Sequence, residues 1–244
     1  MKCIILAAGY ATRLYPLTEN FPKPLLKVGD KTILDWLVDD IDSSNTVDEY
    51  VVISNHKYAG HFIEWADTKK QKITVVDDGT NTNETRLGAV KDIQYAIDRL
   101  GIDDDALVIA GDNVLDFSLV EFIEYSVDKK SSCVMRYYES NAQRLSKSGV
   151  VEVDSNDKII GMEEKPSAPK SSWCCPPFYY YTRSDLKLVQ KGIESGCGTD
   201  APGSFVAWLS SQIDVYAMEM PGKRYDIGDI NSYEAVKKEY KGIC

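Results

Sequence analysis

The chain has 244 residues, with 28 Lys and Arg against 38 Asp and Glu, a formal charge of −10, and an apolar share of 43%. That is ordinary globular composition, long enough for one large α/β domain or two small ones. An acidic balance argues against a broad nucleic-acid or anionic-membrane surface and leaves cations for local phosphate sites. The run Cys3 to Ala7 is short, apolar and bounded by small residues, which predicts a buried strand of a parallel sheet. It empties into Ala8-Gly9-Tyr10-Ala11-Thr12-Arg13, where small residues let backbone N–H groups approach an anion and Arg13 can fork onto phosphate oxygens. Pro16, Pro22 and Pro24 stop any long helix, so the loop continues and carries Lys23 as a second, point-like cation.

Apolar spacing predicts a helix over Thr32 to Ile41, a strand at Tyr50 to Ile53, a helix from Lys57 to Ala66 and a strand at Ile73 to Val76. A helix over Leu87 to Ile97 and a strand at Leu107 to Ala110 follow, the latter delivering Gly111-Asp112-Asn113. This alternation is the pattern of a parallel sheet covered on both faces, with ligands outside the carboxyl ends of its strands. There Gly9 to Arg13, Asp77 to Asn83 and Asp112 would converge. After a helix at Ser118 to Asp128 the pattern changes. Strands are predicted at Cys133 to Tyr138, at Val150 to Val153 with Lys158 to Met162 as a hairpin, and at Phe178 to Tyr181. Ser184 is expected to cap a helix to about Glu194, followed by a strand at Val215 to Met218 and a closing helix at Asn231 to Tyr240. No repeat, low-complexity tract or linker interrupts this, so one domain is expected, with a nucleotide-binding half (1–130) and an acceptor-binding half (131–244).

The six cysteines form no Cys-x-x-Cys pair, Cys174-Cys175 being adjacent and Cys244 terminal, and histidine is limited to His56 and His61. Neither a zinc site nor a disulfide framework is expected, and neither Cys174 nor Cys175 has a basic neighbour to activate it. No apolar stretch reaches transmembrane length and no leader pattern precedes the first strand, so a reduced, cytoplasmic protein without membrane or nucleic-acid partners is expected.

The first loop is neither a P-loop nor a full Gly-x-Gly-x-x-Gly. Its whole run, however, resembles the signature of the sugar-1-phosphate nucleotidyltransferases, Leu-Ala-x-Gly-x-Gly-Thr-Arg-Leu-x-Pro-Leu-Thr followed by Pro-Lys-x-Leu-Leu. Leu6, Ala7, Gly9, Thr12, Arg13, Leu14, Pro16, Leu17, Thr18, Pro22, Lys23, Leu25 and Leu26 fall on it. The pattern's second glycine is Ala11 here, so the loop must accommodate a Cβ where the family has none. Gly111-Asp112-Asn113, Glu163-Glu164-Lys165-Pro166 and Asp226-Ile227-Gly228 resemble further family motifs in the same order.

The resemblance implies a Rossmann-like three-layer α/β/α sandwich with a central mixed, mostly parallel sheet, the nucleotide-diphospho-sugar transferase fold. It implies an enzyme that joins an NTP to a sugar 1-phosphate, giving NDP-sugar and pyrophosphate. Leu6, Ala8, Gly9, Ala11, Thr12, Arg13, Asn81 and Gly88 are expected around the nucleotide; Glu164, Lys165 and Tyr179 around the sugar phosphate; and Asp112 with Asp226 around Mg²⁺. Arg13, Lys23, Asp112 and Lys165 are the expected catalytic groups: Arg13 on the β- and γ-phosphates, Lys23 between the α-phosphate and the incoming phosphate, Lys165 steering the latter. Each has a plainer alternative. Asp112 or Asp226 could cap a helix or turn, Glu164-Lys165 could end an edge strand, and Tyr179 could be half-buried sheet. Thr199 and Asp200 are expected mainly to cap a helix. Family members often read the base with a glutamine; between Asp77 and Gly88 there is none, only Asn81, Thr82, Asn83 and Thr85. The base therefore stays open, with dTTP or UTP favoured and CTP possible. A cytidylyltransferase for an alcohol phosphate such as phosphocholine, a metal-dependent glycosyltransferase and a non-catalytic nucleotide-binding homologue are the other readings. A homo-oligomer is compatible with the family, and without a long C-terminal extension a single reaction is expected.

Overall fold

The first strand, Lys2–Leu6, runs parallel to Glu49–Ser54, which runs parallel to Ile73–Asp77, in the computed structural model, which describes residues 1–243. The registers pair Cys3 with Tyr50 and Val51 with Thr74. These strands are apolar on both faces, and Cys3 to Ile5 and Tyr50 to Ile53 are all buried. They belong to one of two units into which the chain folds: the first takes Met1–Arg86, Ala110–Glu121 and the segment from Pro221 on, the second Leu87–Ile109 and Phe122–Met220.

In the first unit, helix Ile33–Asp42 buries Ile33, Leu34, Leu37, Val38 and Ile41, the predicted stripe. It begins in a reciprocal cap: Asp35 N–H donates to the Thr32 hydroxyl and Thr32 N–H to the Asp35 carboxylate, each at 3.0 Å. Helix His56–Ala66 is capped by the Asn55 side chain. A two-stranded ladder that periodicity did not predict joins Asn113–Leu115 to Arg224–Asp226, antiparallel. The last helix, Ile230–Glu239, is capped by Asp229 with Ser232. It buries Tyr233 and Val236 in a cluster with Leu14, Leu26, Val28, Ile33, Val114 and Ile227. Leu14 comes from the N-terminal loop, and burying such a side chain is worth roughly 1.5–3 kcal/mol. The loop is thus anchored by its own apolar residue, leaving its polar ones outside.

The second unit is a mixed sheet. Phe178–Tyr181 lies antiparallel to Ala106–Ala110 and to Cys133–Tyr138. The latter also pairs with Tyr216–Glu219 in parallel and with Trp173–Cys175 antiparallel, and the order continues through Gly149–Val153 to Ile159–Glu164. The last two strands form the predicted hairpin, with a register shift between Ile159 and Gly161. The class expected from the sequence, an α/β chain with a mixed sheet, is what forms. Three local expectations need correction. The helix expected from Ser184 is two short ones, Arg183–Leu186 and Val189–Glu194, and the cap is Thr182. The helix expected from Leu87 starts at Ala89 and runs to Leu100, where left-handed Gly101 ends it. Neither Thr199 nor Asp200 is the cap residue of helix Gly203–Leu209, whose N-cap is Pro202. The described cysteines Cys3, Cys133, Cys174, Cys175 and Cys197 form no disulfide with one another, and Cys244 lies outside the described residues.

Candidate active site

The first strand ends where the chain must turn, and three buried polar groups decide how. Ala7 N–H still donates to Ile53 carbonyl at 2.9 Å. The Ala8 carbonyl accepts from Asn55 Nδ2 at 2.9 Å, and the Ala11 carbonyl accepts from the fully buried Thr18 hydroxyl at 2.8 Å. Ala11 sits in the left-handed region, φ 46° and ψ 41°, which costs a residue with a Cβ about 1–2 kcal/mol. The Thr18 bond and a second from Leu14 N–H at 2.9 Å hold it there. Thr12–Leu14 then forms a single 3₁₀ turn that buries Leu14 and leaves Thr12 and Arg13 exposed. Among the described residues Arg13 makes no ion pair.

A cavity of about 350 Å³ opens over this loop. Leu6, Gly9, Ala11, Thr12, Arg13 and Lys23 line it, joined by Tyr10, Asn83, Arg86, Asp112 and Gly228. Lys23 is 7% exposed, and its ammonium donates to Asp112 Oδ2 at 2.9 Å. The other oxygen of Asp112 accepts from Asn113 Nδ2 at 2.7 Å. Gly111 permits this approach: its N–H donates to Leu6 carbonyl, and a Cβ there would lie 3.0 Å from Ile5. Crowding by protein pushes the Asp112 carboxyl up, but the ammonium of Lys23 and the guanidinium of Arg224 outweigh it and hold it below the usual carboxylate range.

Asp226 is exposed and stands opposite Asn113 in the two-stranded ladder, and Asp112 is the residue that precedes Asn113. Arg224 donates to Asn113 Oδ1 at 2.7 Å and lies 4.0 Å from Asp226. Neither carboxylate caps a helix, because Asp112 sits in the turn before Asn113–Leu115 and Asp229 caps the last helix. Among the described residues no group of three or more His, Cys, Asp or Glu could hold a metal. One carboxylate in the turn before a ladder strand and one on its partner strand are hard oxygen donors of the kind taken by a cation that keeps waters and phosphate oxygens in its shell, as Mg²⁺ does.

In the second unit, Lys165 ends the hairpin in a left-handed conformation, φ 50°, with its N–H donating to Ser148 carbonyl at 3.0 Å. Its ammonium stands 3.9 Å from Asp200, both side chains more than half exposed. Glu164 is partly buried opposite Gly149. Burial pushes its carboxyl up, Lys165 pulls it part of the way back, and Asp200 adds to the rise.

Residues 2–242 match the Nucleotidyl transferase family. The chain belongs to that family. Among curated relatives, the bifunctional protein GlmU of Methanocaldococcus jannaschii is 28% identical over 93% of this chain and 51% of its own length. A glucose-1-phosphate adenylyltransferase of Fervidobacterium nodosum is 26% identical over 94% of this chain and 59% of its own. The chain thus spans between half and three-fifths of the length of these relatives. Among solved structures, a Bacillus anthracis protein described as a glucose-1-phosphate thymidylyltransferase, in complex with sucrose, superposes with a TM-score of 0.80 at 23% identity. The match covers 98% of this chain and 94% of that one. A UDP-glucose pyrophosphorylase in complex with UDP-glucose gives 0.84 at 20% identity, covering 98% and 97%. At such identities the likeness establishes the shared fold.

Of the nucleotidyl transferase residues expected from sequence, the structure brings Leu6, Gly9, Ala11, Thr12, Arg13, Lys23 and Asp112 to one cavity. Ala8, Asn81 and Asp226 do not line it. Ala8 is tied back by Asn55, and Asn81 bonds the Gly79 carbonyl in its own turn. Gly88 packs against the backbone of the Thr199 segment. At φ 92°, a Cβ on it would stand 2.5 Å from the Thr199 carbonyl oxygen, and Thr199 and Asp200 carbonyls accept from Val90 and Ala89 N–H. Its glycine is thereby explained by close backbone packing. Tyr179 is 2% exposed and stacked on Tyr181, a core placement. Tyr10 and Asn83 lie in the segments expected to converge and do line the cavity, whereas sequence reading gave no site role to Arg86, Asn55 or Thr18. Thr18 lay within the quoted signature, while Asn55 carried only a helix-cap signal.

Proposed function

We propose that the chain transfers a nucleotidyl group from an NTP to a sugar 1-phosphate, giving NDP-sugar and pyrophosphate. Glucose 1-phosphate is the favoured acceptor; dTTP or UTP is the favoured donor, with CTP next. The observation that carries this reading is the joint placement of Arg13, Lys23 and Asp112 in one cavity at the end of a buried parallel strand. An oxygen of the sugar phosphate, already anionic at neutral pH, attacks the α-phosphorus. A new P–O bond forms, the bond to the β-phosphate bridging oxygen breaks, and pyrophosphate leaves with that electron pair. No protein nucleophile is needed, so the work is alignment and charge neutralisation.

Arg13, which makes no ion pair among the described residues, is assigned to the β- and γ-phosphates. Lys23, buried and aimed by Asp112, is assigned to the α-phosphate and the incoming anion. Lys165 and Glu164 are assigned to the acceptor's phosphate and hydroxyls. Asp112 and Asp226 would hold Mg²⁺, which when bound supplies further charge neutralisation on the donor phosphates. Asn83 and Arg86, on the cavity wall, are the candidates for contact with the base. An intact Glu164-Lys165 pair favours a sugar over phosphocholine, which carries no hydroxyls for a carboxylate.

The test is pyrophosphate release with Mg²⁺ from each of UTP, dTTP, CTP, GTP and ATP, paired with glucose 1-phosphate. Release with one or two pyrimidine nucleotides is the expected result. Silence with glucose 1-phosphate but release with phosphocholine would replace the sugar reading, and nucleotide binding without turnover on any acceptor would favour the non-catalytic one.

A further inference from the structure

Glu164 is held in a notch that only glycine can form. Gly149 lies opposite it in the hairpin register, and a Cβ on Gly149 would stand 2.9 Å from Glu164 Oε2. From another element, the first residue of helix Gly203–Leu209, a Cβ would fall 2.1 Å from the same oxygen and 3.2 Å from Cδ. Real Cβ atoms do not come so close, so both positions must lack a side chain while the carboxylate stays where it is. Neither glycine has a left-handed φ, so backbone conformation does not explain them. At Gly203 an alanine would even favour the helix. The carboxylate oxygen is the nearest occupant of that space at both positions, with Met162 Cε behind it at 3.2 and 3.4 Å.

We propose that Gly203, together with Gly149, is a positioning residue for the acceptor: the two glycines seat one oxygen of Glu164 and so set where its carboxylate meets a hydroxyl of the sugar phosphate. This rests on the acceptor role assigned to Glu164 above. Lys165 and Asp200 face the same carboxylate, and Cys175 lies beside it. The atom that would clash is the far end of a flexible side chain, so a methyl at 203 displaces Glu164 rather than the backbone.

The test is Gly203→Ala beside Glu164→Gln and the Glu164→Ala/Gly203→Ala double variant. Gly203→Ala is expected to fold and to keep or raise the melting temperature, by up to about 2–4 °C if the unfolded-state effect of alanine is realised in full. Its Glu164 carboxyl, followed by ¹³C NMR titration, should move from its raised position toward that of an ordinary glutamate. KM for glucose 1-phosphate should rise about tenfold while KM for the nucleotide stays within about twofold, as expected when one acceptor contact is lost. In the double variant the notch is empty, so the alanine should add its stabilisation undiminished; if Gly203→Ala alone fails to fold but the double variant folds, the clash with Glu164 is established. A Glu164 resonance and crystal position unchanged in Gly203→Ala would overturn the notch. A displaced carboxylate together with a Glu164→Gln enzyme of unchanged KM for glucose 1-phosphate would instead overturn the acceptor role, and with it the use of the notch.

Discussion

The two units hold their key lysines in opposite ways. In the first, Lys23 is buried and its ammonium touches Asp112 at 2.9 Å. In the second, Lys165 faces Asp200 at 3.9 Å with both side chains more than half in solvent. Burial removes competing water, so the first pair has one geometry, whereas the second is loose and weakly held. Both units nevertheless place a non-glycine residue in the left-handed region, Ala11 in the first and Lys165 in the second. A buried hydroxyl fixes the one, and a backbone N–H bond to Ser148 fixes the other. On the proposed reading, the pre-paired lysine serves the multiply charged donor and the more exposed one the acceptor.

The contrast can be broken most forcefully at Asp112. Asp112→Asn removes the negative partner of Lys23 and one of the two carboxylates assigned to Mg²⁺. Turnover should fall about 10²- to 10³-fold with the fold retained, and near-normal pyrophosphate release would take Asp112 out of the site. Lys23→Ala should cost a similar factor in turnover and also stability, because it strands a carboxylate. Fully buried pairs lose about 3–5 kcal/mol on such truncation; with Asp112 40% exposed, about 1–2 kcal/mol is expected in urea denaturation. Lys165→Ala should leave stability unchanged within about 0.5 kcal/mol and raise KM for the acceptor about tenfold. An equal stability loss in the two lysine variants would erase the distinction drawn here.

Thr18→Val probes the loop more gently. Losing one buried hydrogen bond should cost about 1 kcal/mol. The loss should shrink in an Ala11→Gly background, where the left-handed turn no longer needs holding; identical losses in both backgrounds would show that Thr18 does not support Ala11. The smallest effect is a pH slope. Glu164 has a folded-state carboxyl raised by burial, so the fold favours its protonated form. The resulting cost is absent below its unfolded titration point, grows as pH rises through the unfolded and then the folded one, and is complete above both. Glu164→Gln should therefore gain thermal stability relative to the parent as pH rises from about 4 to 7, and parallel melting curves would contradict this.

Much of the site was legible because its chemistry is local. Strand, small-residue loop, Arg13 and Lys23 are consecutive, and the pattern predicted both the buried strand and a phosphate-facing loop. Residues that act through space were not legible. Asn55 is 47 positions from the carbonyl it restrains, and Arg224 is 111 positions from Asn113. The ladder joining Asn113–Leu115 to Arg224–Asp226 was missed because three-residue strands carry too little periodicity to register. At Gly88 the sequence suggested room for a base, and the structure shows the backbone of Thr199 within 2.5 Å of where a Cβ would stand, since a glycine records that something is close without recording what.

By itself, the amino-acid order determined the α/β class, the family and the identities of the charged groups, because hydrophobic period and contiguous motifs are properties of neighbouring residues. Tertiary structure alone decided which of those groups share a cavity, which glycines make room for Glu164 and for Thr199, and that Lys23 is buried while Lys165 is not. These depend on contacts between segments far apart in sequence, whose approach is set by packing of the whole chain.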